Sequence, residues 1–150
     1  DLNNIRGLVM AEVSELDILM EKVISKYFVE NGNDDKIKKF NQHIIRDVEQ
    51  STKRKLVRSN SCDKQCSHKW KDMPIDYAAK NANFYEDYKV DIIDMRNNLA
   101  HCISELKDGN EVLKLKKKDA EDIVFDSDMF KSVRLNIQKY HTFFSTRLLA

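Results

Sequence analysis

One short run in the second half of the chain combines residue types that can cleave RNA without a metal ion. Arg96, Asn97 and His101 fall within the sequence Arg-Asn-Asn-Leu-Ala-His. A histidine can take the proton from a ribose 2′-hydroxyl or give one to the leaving 5′-oxygen. An arginine can stabilise the negative charge that develops on the phosphate with its planar fork of donors. We therefore interpret Arg96 and His101 as candidate catalytic residues, and Asn97 as the group that orients the histidine ring.

The helix predicted around this run decides which of these side chains share a face. In an ideal α-helix, residues five apart differ by about 140° around the axis and about 7.5 Å along it, so Arg96 and His101 point in different directions. Asp94, Asn97, His101 and Glu105 share a polar ridge that points away from the core. A two-fold dimer would bring two such ridges together and form a pocket. Spacing alone leaves the alternative open that this is a surface histidine beside an arginine, with no function.

A cysteine–histidine cluster in the middle of the chain is the second candidate site. Cys62, Cys66 and His68 are close enough in sequence to share a zinc ion, but tetrahedral zinc needs a fourth ligand, usually from a paired second half. We therefore predict no bound metal and free surface thiols. The odd count of 3 cysteines implies no disulfide framework and favours a reducing compartment, so a cytoplasmic location is expected.

The positive charge of the chain is concentrated in its middle. The net charge is +1, yet residues 36–71 carry 11 Lys and Arg against 3 Asp and Glu, a local balance of +8. A basic segment of this kind is compatible with a polyanionic partner such as RNA. Lys53, Arg54, Lys55 and Arg58 are the candidate RNA-binding residues. The alternative for this segment is a solvated helix face followed by a loop.

Helical periodicity surrounds these candidates. The chain has 3 Gly and 1 Pro among 150 residues, which leaves few positions that break helices. Apolar residues recur at three- and four-residue steps from Leu2 to Tyr27 and predict a long first helix. Ile18, Leu19 and Phe28 should widen its buried face. Further helices are predicted over 34–55 and 74–106, the second with room for a break near 81–83.

A turn signal and a capping signal organise the last third of the chain. Asp108-Gly109 is typical of a tight hairpin turn. The apolar residues of 112–115 and 123–125 are then placed to form a small strand pair. Asp126 or Ser127 should cap a final helix that runs to about Leu149.

The elements together predict an all-α fold of one domain over residues 1–150. It is a four- to five-helix bundle with room for a short β-hairpin near 105–125. We find no signal peptide and no apolar run long enough to cross a bilayer, so no membrane partner is expected. The sequence starts at Asp1 without a Met, and we expect either a domain cut from a longer chain or missing first residues.

The run around Arg96 resembles the signature of the HEPN superfamily. That signature is an Arg, usually followed by a polar residue, with four to six residues between the Arg and a His; residues 92–101, of sequence IIDMRNNLAH, match it with Asn97 as the polar residue. The place of the motif on a late helix and the long opening helix from Ala11 to Phe28 also fit. The resemblance implies a bundle that dimerises with its two motifs facing each other, with Arg96 and His101 catalytic and Asn97 assisting.

Two functions follow from the resemblance. Many HEPN members are metal-independent endoribonucleases of toxin–antitoxin, phage-defence or CRISPR systems, which implies RNA cleavage by 2′-hydroxyl attack, no cofactor, and RNA, a second copy and an antitoxin as partners. Other members do not cut RNA and serve as dimerisation or nucleotide-binding modules beside a linked partner domain. The Arg96–His101 pair and the basic middle favour the enzyme. Ile103, where some catalytic members carry a Tyr, and the absent Met favour the module.

Overall fold

Residues 1–29, 33–61 and 84–149 are described by a computed structural model of the chain, and most of them are helical. The described helices are α1 (Leu2–Phe28), α2 (Asp34–His43), α3 (Gln50–Ser61), α4 (Phe84–Tyr88, Lys89–Asp94 and Met95–Ala100 in one continuous run) and α5 (Ser127–Leu149). The strands are β1 (Ile103–Lys107), β2 (Asn110–Leu115) and β3 (Ile123–Phe125). The described part is thus five helices with a small sheet, and it contains no helix long and apolar enough to span a membrane.

Helix α1 runs through the centre of the core. Its start is capped by the Asp1 side chain, which accepts a hydrogen bond from the Asn3 backbone N–H at 2.7 Å. The predicted apolar stripe is largely confirmed, since most of it is buried: Leu2, Val9, Val13, Leu16, Met20 and Val23. Leu19 widens the buried face as predicted, since it is partly buried against the core. The same prediction is wrong for Ile18 and Phe28, because they are 51% and 48% exposed.

Helix α5 packs along α1 in a parallel orientation. Arg134 of α5 contacts Glu12 near the start of α1, and Lys26 near the end of α1 donates to the Leu148 carbonyl. The predicted cap is confirmed, since the Asp126 carboxylate accepts from the Met129 backbone N–H at 2.8 Å. The inward face is buried as predicted: Phe130, Val133, Ile137, Tyr140 and Phe144.

The single helix predicted over 34–55 is wrong. Helix α2 ends at His43, a 3₁₀ turn covers Ile45–Asp47, and α3 begins at Gln50. The break lets Ile45 turn into the core, where it is buried. Helix α2 itself buries no residue fully. The fully buried side chain at this point, Ile45, is therefore provided by the break rather than by a continuous helical face.

The helix predicted over 74–106 lies outside the described residues up to 83, and beyond them it ends early, at Ala100. Residues 103–107 instead form β1, because Asp108 and Gly109 adopt φ values of 53° and 80° and fold β1 back onto β2. Strand pairing from Ile103 to Lys107 then satisfies the backbone that the helix would have used. Leu106, expected in the core, is 78% exposed.

The sheet closes one end of the bundle. Its order is β1-β2-β3, all antiparallel, so the predicted pairing of 112–115 with 123–125 is confirmed and a third strand is added to it. Leu113 pairs with Phe125, and both side chains are buried. Arg6 of α1 donates to the Cys102 carbonyl at 2.8 Å, which ties the start of α1 to the chain between α4 and β1.

An aromatic cluster fixes α4 against α5. The Phe84 ring stacks on Phe143 with centroids 5.6 Å apart, and Tyr88 meets Tyr140 edge to face at 4.9 Å. Such pairs add to the apolar area that they bury. The α4 backbone, which carries the candidate catalytic residues, is therefore held by core packing.

Candidate functional site

The last turns of α4 carry Arg96, Asn97 and His101. They follow a π-helical stretch, Lys89–Asp94, and π-helical turns inside helices occur frequently at functional sites. Met95 and Leu99 of the last turns are buried, so this end of α4 is anchored in the core while the residues between them face outwards or sideways. Apolar spacing gives no signal for the π-helical stretch, and sequence reasoning missed it.

The Arg96 side chain lies against α1. Its Nη1 atom is 3.5 Å from Oδ2 of Asp17, and the two side chains are 31% and 26% exposed. The distance is long for a charge-assisted hydrogen bond, and this is the one ion pair of Arg96 in the described part of the chain. The guanidinium is therefore restrained on one side and retains donors for another acceptor.

Asp17 is the centre of a partly buried polar cluster contributed by three helices. Around it lie Glu21 on α1, Lys53 on α3, and Tyr88 and Arg96 on α4. Burial raises the pKa of the Asp17 carboxyl, against the opposing effects of Arg96 and then Lys53. Burial, and next the Asp17 charge, also raise the pKa of the Tyr88 hydroxyl. Sequence reasoning missed Asp17, for which the available signal is an acidic residue directly after Leu16 of the apolar stripe.

We predict that Asp17→Asn raises the stability of the protein at neutral pH. Because the folded-state pKa of Asp17 lies above its ordinary 3.8, its contribution to stability is fully present below the unfolded-state pKa and is lost as the pH rises through the folded-state pKa. Asparagine resembles the protonated acid, so its advantage over aspartate should appear at neutral pH and vanish towards pH 3.8. Thermal unfolding of both proteins across this range measures the difference.

The matched control for this prediction is Asp35→Asn. Asp35 is exposed on α2 and forms a surface pair with Lys39, which contributes little. A stability gain for Asp17→Asn that stays constant with pH, or that equals the change in Asp35→Asn, would show that burial of the Asp17 charge is not its cause.

His101 stands at the end of α4, with its side chain exposed. Its backbone N–H donates to the Asn98 carbonyl at 3.2 Å and closes the last turn. Asn97 is also exposed, but no hydrogen bond joins it to the His101 ring within the described ranges. The predicted orientation of the His101 ring by Asn97 is therefore not formed in the single chain, and the imidazole nitrogens remain open to an external group.

The polar ridge predicted on α4 is shorter than expected. Asp94 pairs with Lys89 at 2.9 Å, and Glu105 belongs to β1, where its carboxylate lies 3.6 Å from Lys114. Because α4 ends at Ala100, Glu105 leaves the ridge, which keeps Asp94, Asn97 and His101.

Two of the four candidate RNA-binding residues are interior. Lys53 and Arg54 are 7% and 5% exposed. The Lys53 ammonium lies 2.7 Å from Glu21, and Arg54 donates to the Tyr85 carbonyl at 2.8 Å while its guanidinium lies 4.2 Å from the Tyr85 ring centroid. Burial in the single chain does not fit the role predicted for them. Lys55 is exposed.

The other basic candidate, Arg58, has a side chain outside the described residues, and so do Cys62, Cys66 and His68. Where the structure does describe side chains, no group of three His, Cys, Asp or Glu could hold a metal ion. The prediction of free thiols at Cys62 and Cys66 stays a prediction.

Comparisons with known proteins give no relative for this chain. No protein-family model, curated protein or solved structure matches it. The function is therefore argued from the residues of the site.

Proposed function

We propose that this chain is a metal-independent endoribonuclease of the HEPN type, whose active site combines Arg96, Asn97 and His101 from two copies. The observation that supports this proposal most is the exposure of His101 together with the restraint of Arg96 at the end of α4. His101 is exposed and has no partner in the described chain, while Arg96 is restrained by Asp17 through one nitrogen. A titratable group open to substrate and a positioned cation are the two groups that phosphodiester cleavage by 2′-hydroxyl attack requires.

The proposed reaction uses the two copies of His101 in different roles. One His101 takes the proton of the ribose 2′-hydroxyl, whose oxygen attacks the adjacent phosphorus. The bond from phosphorus to the 5′-oxygen breaks, and the His101 of the second copy donates a proton to that oxygen. The products are a 2′,3′-cyclic phosphate and a free 5′-hydroxyl. Arg96 stabilises the negative charge that builds on the phosphoryl oxygens.

A dimer is part of the proposal because one chain holds the two groups apart. Arg96 leans towards α1, and His101 points to solvent. Facing copies across a two-fold axis would set the Arg96 of each chain near the His101 of the other. Asn97 is then available to orient either ring.

We expect the protein to sediment as a dimer at tens of micromolar, a concentration at which a standard-size interface holds. Analytical ultracentrifugation measures this directly. A monomer at that concentration counts against a shared site. A dimer whose two His101 side chains lie on far sides of the assembly does so as well.

The ion pair between Asp17 and Arg96 favours a second function. It gives Arg96 a contact within the chain that involves no phosphate, which fits a non-catalytic dimerisation or nucleotide-binding module. Incubation of RNA with the wild-type protein in EDTA, followed by analysis of the product ends, separates the two. Cleavage that leaves a 2′,3′-cyclic phosphate supports the nuclease; a well-folded dimer that cleaves no RNA supports the module.

A further inference from the structure

A basic cleft of about 550 Å³ lies between α1, α2 and the end of α5. Its charged lining consists of Lys22, Lys26, Lys38 and Arg46, with Asp34 as the one acid, and its apolar lining includes Ile18. The lining therefore carries a balance of +3, although the whole chain is near neutral at +1.

The cations of this cleft outnumber its single acid, Asp34. Lys22, Lys38 and Arg46 are exposed and form no ion pair with any residue that the structure describes. Lys26 donates to the Leu148 carbonyl at the end of α5, which holds its charge at the cleft wall. Like charges gathered around a concave surface produce a positive potential that attracts anions.

The apolar part of the cleft indicates which class of anion the cleft can bind. Ile18, about half exposed, lies beside the lysines, and Ile37 and Leu148 extend the apolar surface. A single-stranded nucleic acid presents phosphates along one side and flat bases along the other. The mixture of unpaired cations and apolar side chains suits that ligand better than a small inorganic anion, which needs no apolar surface.

The cleft lies further from His101 than from Arg96, which contacts α1 at Asp17, five residues before Lys22. Arg6 of α1 contacts the chain next to His101, and the rise of about 1.5 Å per residue sets Lys22 about 24 Å further along α1. We propose that this cleft binds the phosphate backbone of single-stranded RNA flanking the cleavage site, with Lys22, Lys38 and Arg46 as its phosphate contacts. The identity of the strand as substrate rests on the proposed function, but its binding does not require cleavage.

The test measures the binding of a fully 2′-O-methylated RNA strand, which has no 2′-hydroxyl to react. The variant is Lys22→Gln, Lys38→Gln and Arg46→Gln combined, and the matched control is Lys107→Gln, Lys117→Gln and Lys118→Gln, which removes the same charge from exposed positions. Each phosphate contact to a single strand contributes about 0.7 to the slope of log K against log salt. We expect the cleft variant to bind at least about tenfold more weakly with a slope smaller by about 2, and the control to bind like the wild type.

Unchanged affinity and slope in the cleft variant overturn the proposal, as does an equal loss in the control. Failure of the wild type to bind the strand overturns it too, and so does tighter binding of free AMP than of the strand at these residues. Both variants change exposed side chains, and equal unfolding temperatures verify that they fold. Because the strand cannot be cut, its binding is measured independently of nuclease activity. Absence of nuclease activity in the wild type would contradict the proposed function, but the binding measurement would still test the cleft.

Discussion

Replacement of His101 or Arg96 by alanine is expected to lower the rate of RNA cleavage about 10²- to 10⁴-fold, the range for loss of proton transfer or of a charge-stabilising donor. The double variant should be little worse than either single one, because the two groups act together in one transition state. Asn97→Ala should lose less, since it carries neither charge nor proton. Initial rates in EDTA, with a substrate carrying one susceptible linkage, measure these effects.

The controls for this prediction come from the same chain. His141→Ala and Arg134→Ala remove an exposed histidine and a surface arginine of α5 and should cleave like the wild type. Arg96→Lys keeps the charge beside Asp17 but loses the planar fork, so it should fold and still lose most of the activity. A 2′-deoxy group at the susceptible linkage should block cleavage. Undiminished cleavage by His101→Ala would end the nuclease interpretation.

Lys53→Ala is expected to lower the free energy of unfolding by about 3–5 kcal/mol, because it leaves the Glu21 carboxylate without its partner in a site sheltered from solvent. The two side chains are 8% and 13% exposed and lie 2.7 Å apart. Lys55→Ala, two residues along the same helix and exposed, should change stability by no more than about 0.5 kcal/mol. Urea unfolding of both variants measures the contrast.

A double variant tests the cause of this loss. Replacing Lys53 and Glu21 together by methionine removes both charges and should recover much of the stability, since the cost lies in the charge left behind rather than in the missing pair. If Lys53→Ala is as stable as Lys55→Ala and binds RNA more weakly, Lys53 is a surface contact and its predicted role in RNA binding is right.

The elements that were predicted correctly depend on residues close together in the sequence. The apolar repeat gave the extent of α1, the Asp126 cap gave the start of α5, and Asp108-Gly109 gave the turn between β1 and β2. The break after His43 and the end of α4 at Ala100 were not predictable in this way. They depend on Ile45 reaching the core and on β1 finding β2 as a partner, which are contacts between segments rather than properties of either segment.

The residues of the candidate site also fall into those that the local sequence predicts and those that it does not. Arg96, Asn97 and His101 could be chosen from residue types and spacing within one short run. Asp17 and Arg96 are in contact although they are 79 positions apart in the chain, and no periodicity in the sequence indicates such a contact. The excess of positive charge over residues 36–71 was counted correctly. A count of charges does not indicate, however, that Lys53 contacts Glu21 while Lys38 is exposed to solvent.

The parallel packing of α1 on α5 has a consequence for the order of folding. Glu12 and Arg134, which join these helices, are 122 positions apart, so the central contact of the core has a high contact order and carries a loop-closure cost that local helix pairs avoid. During synthesis, the α1 stripe has no α5 to cover it until the last helix is made. We therefore expect the arrangement at the end of α4 to form late, after the ribosome has completed nearly all of the described chain.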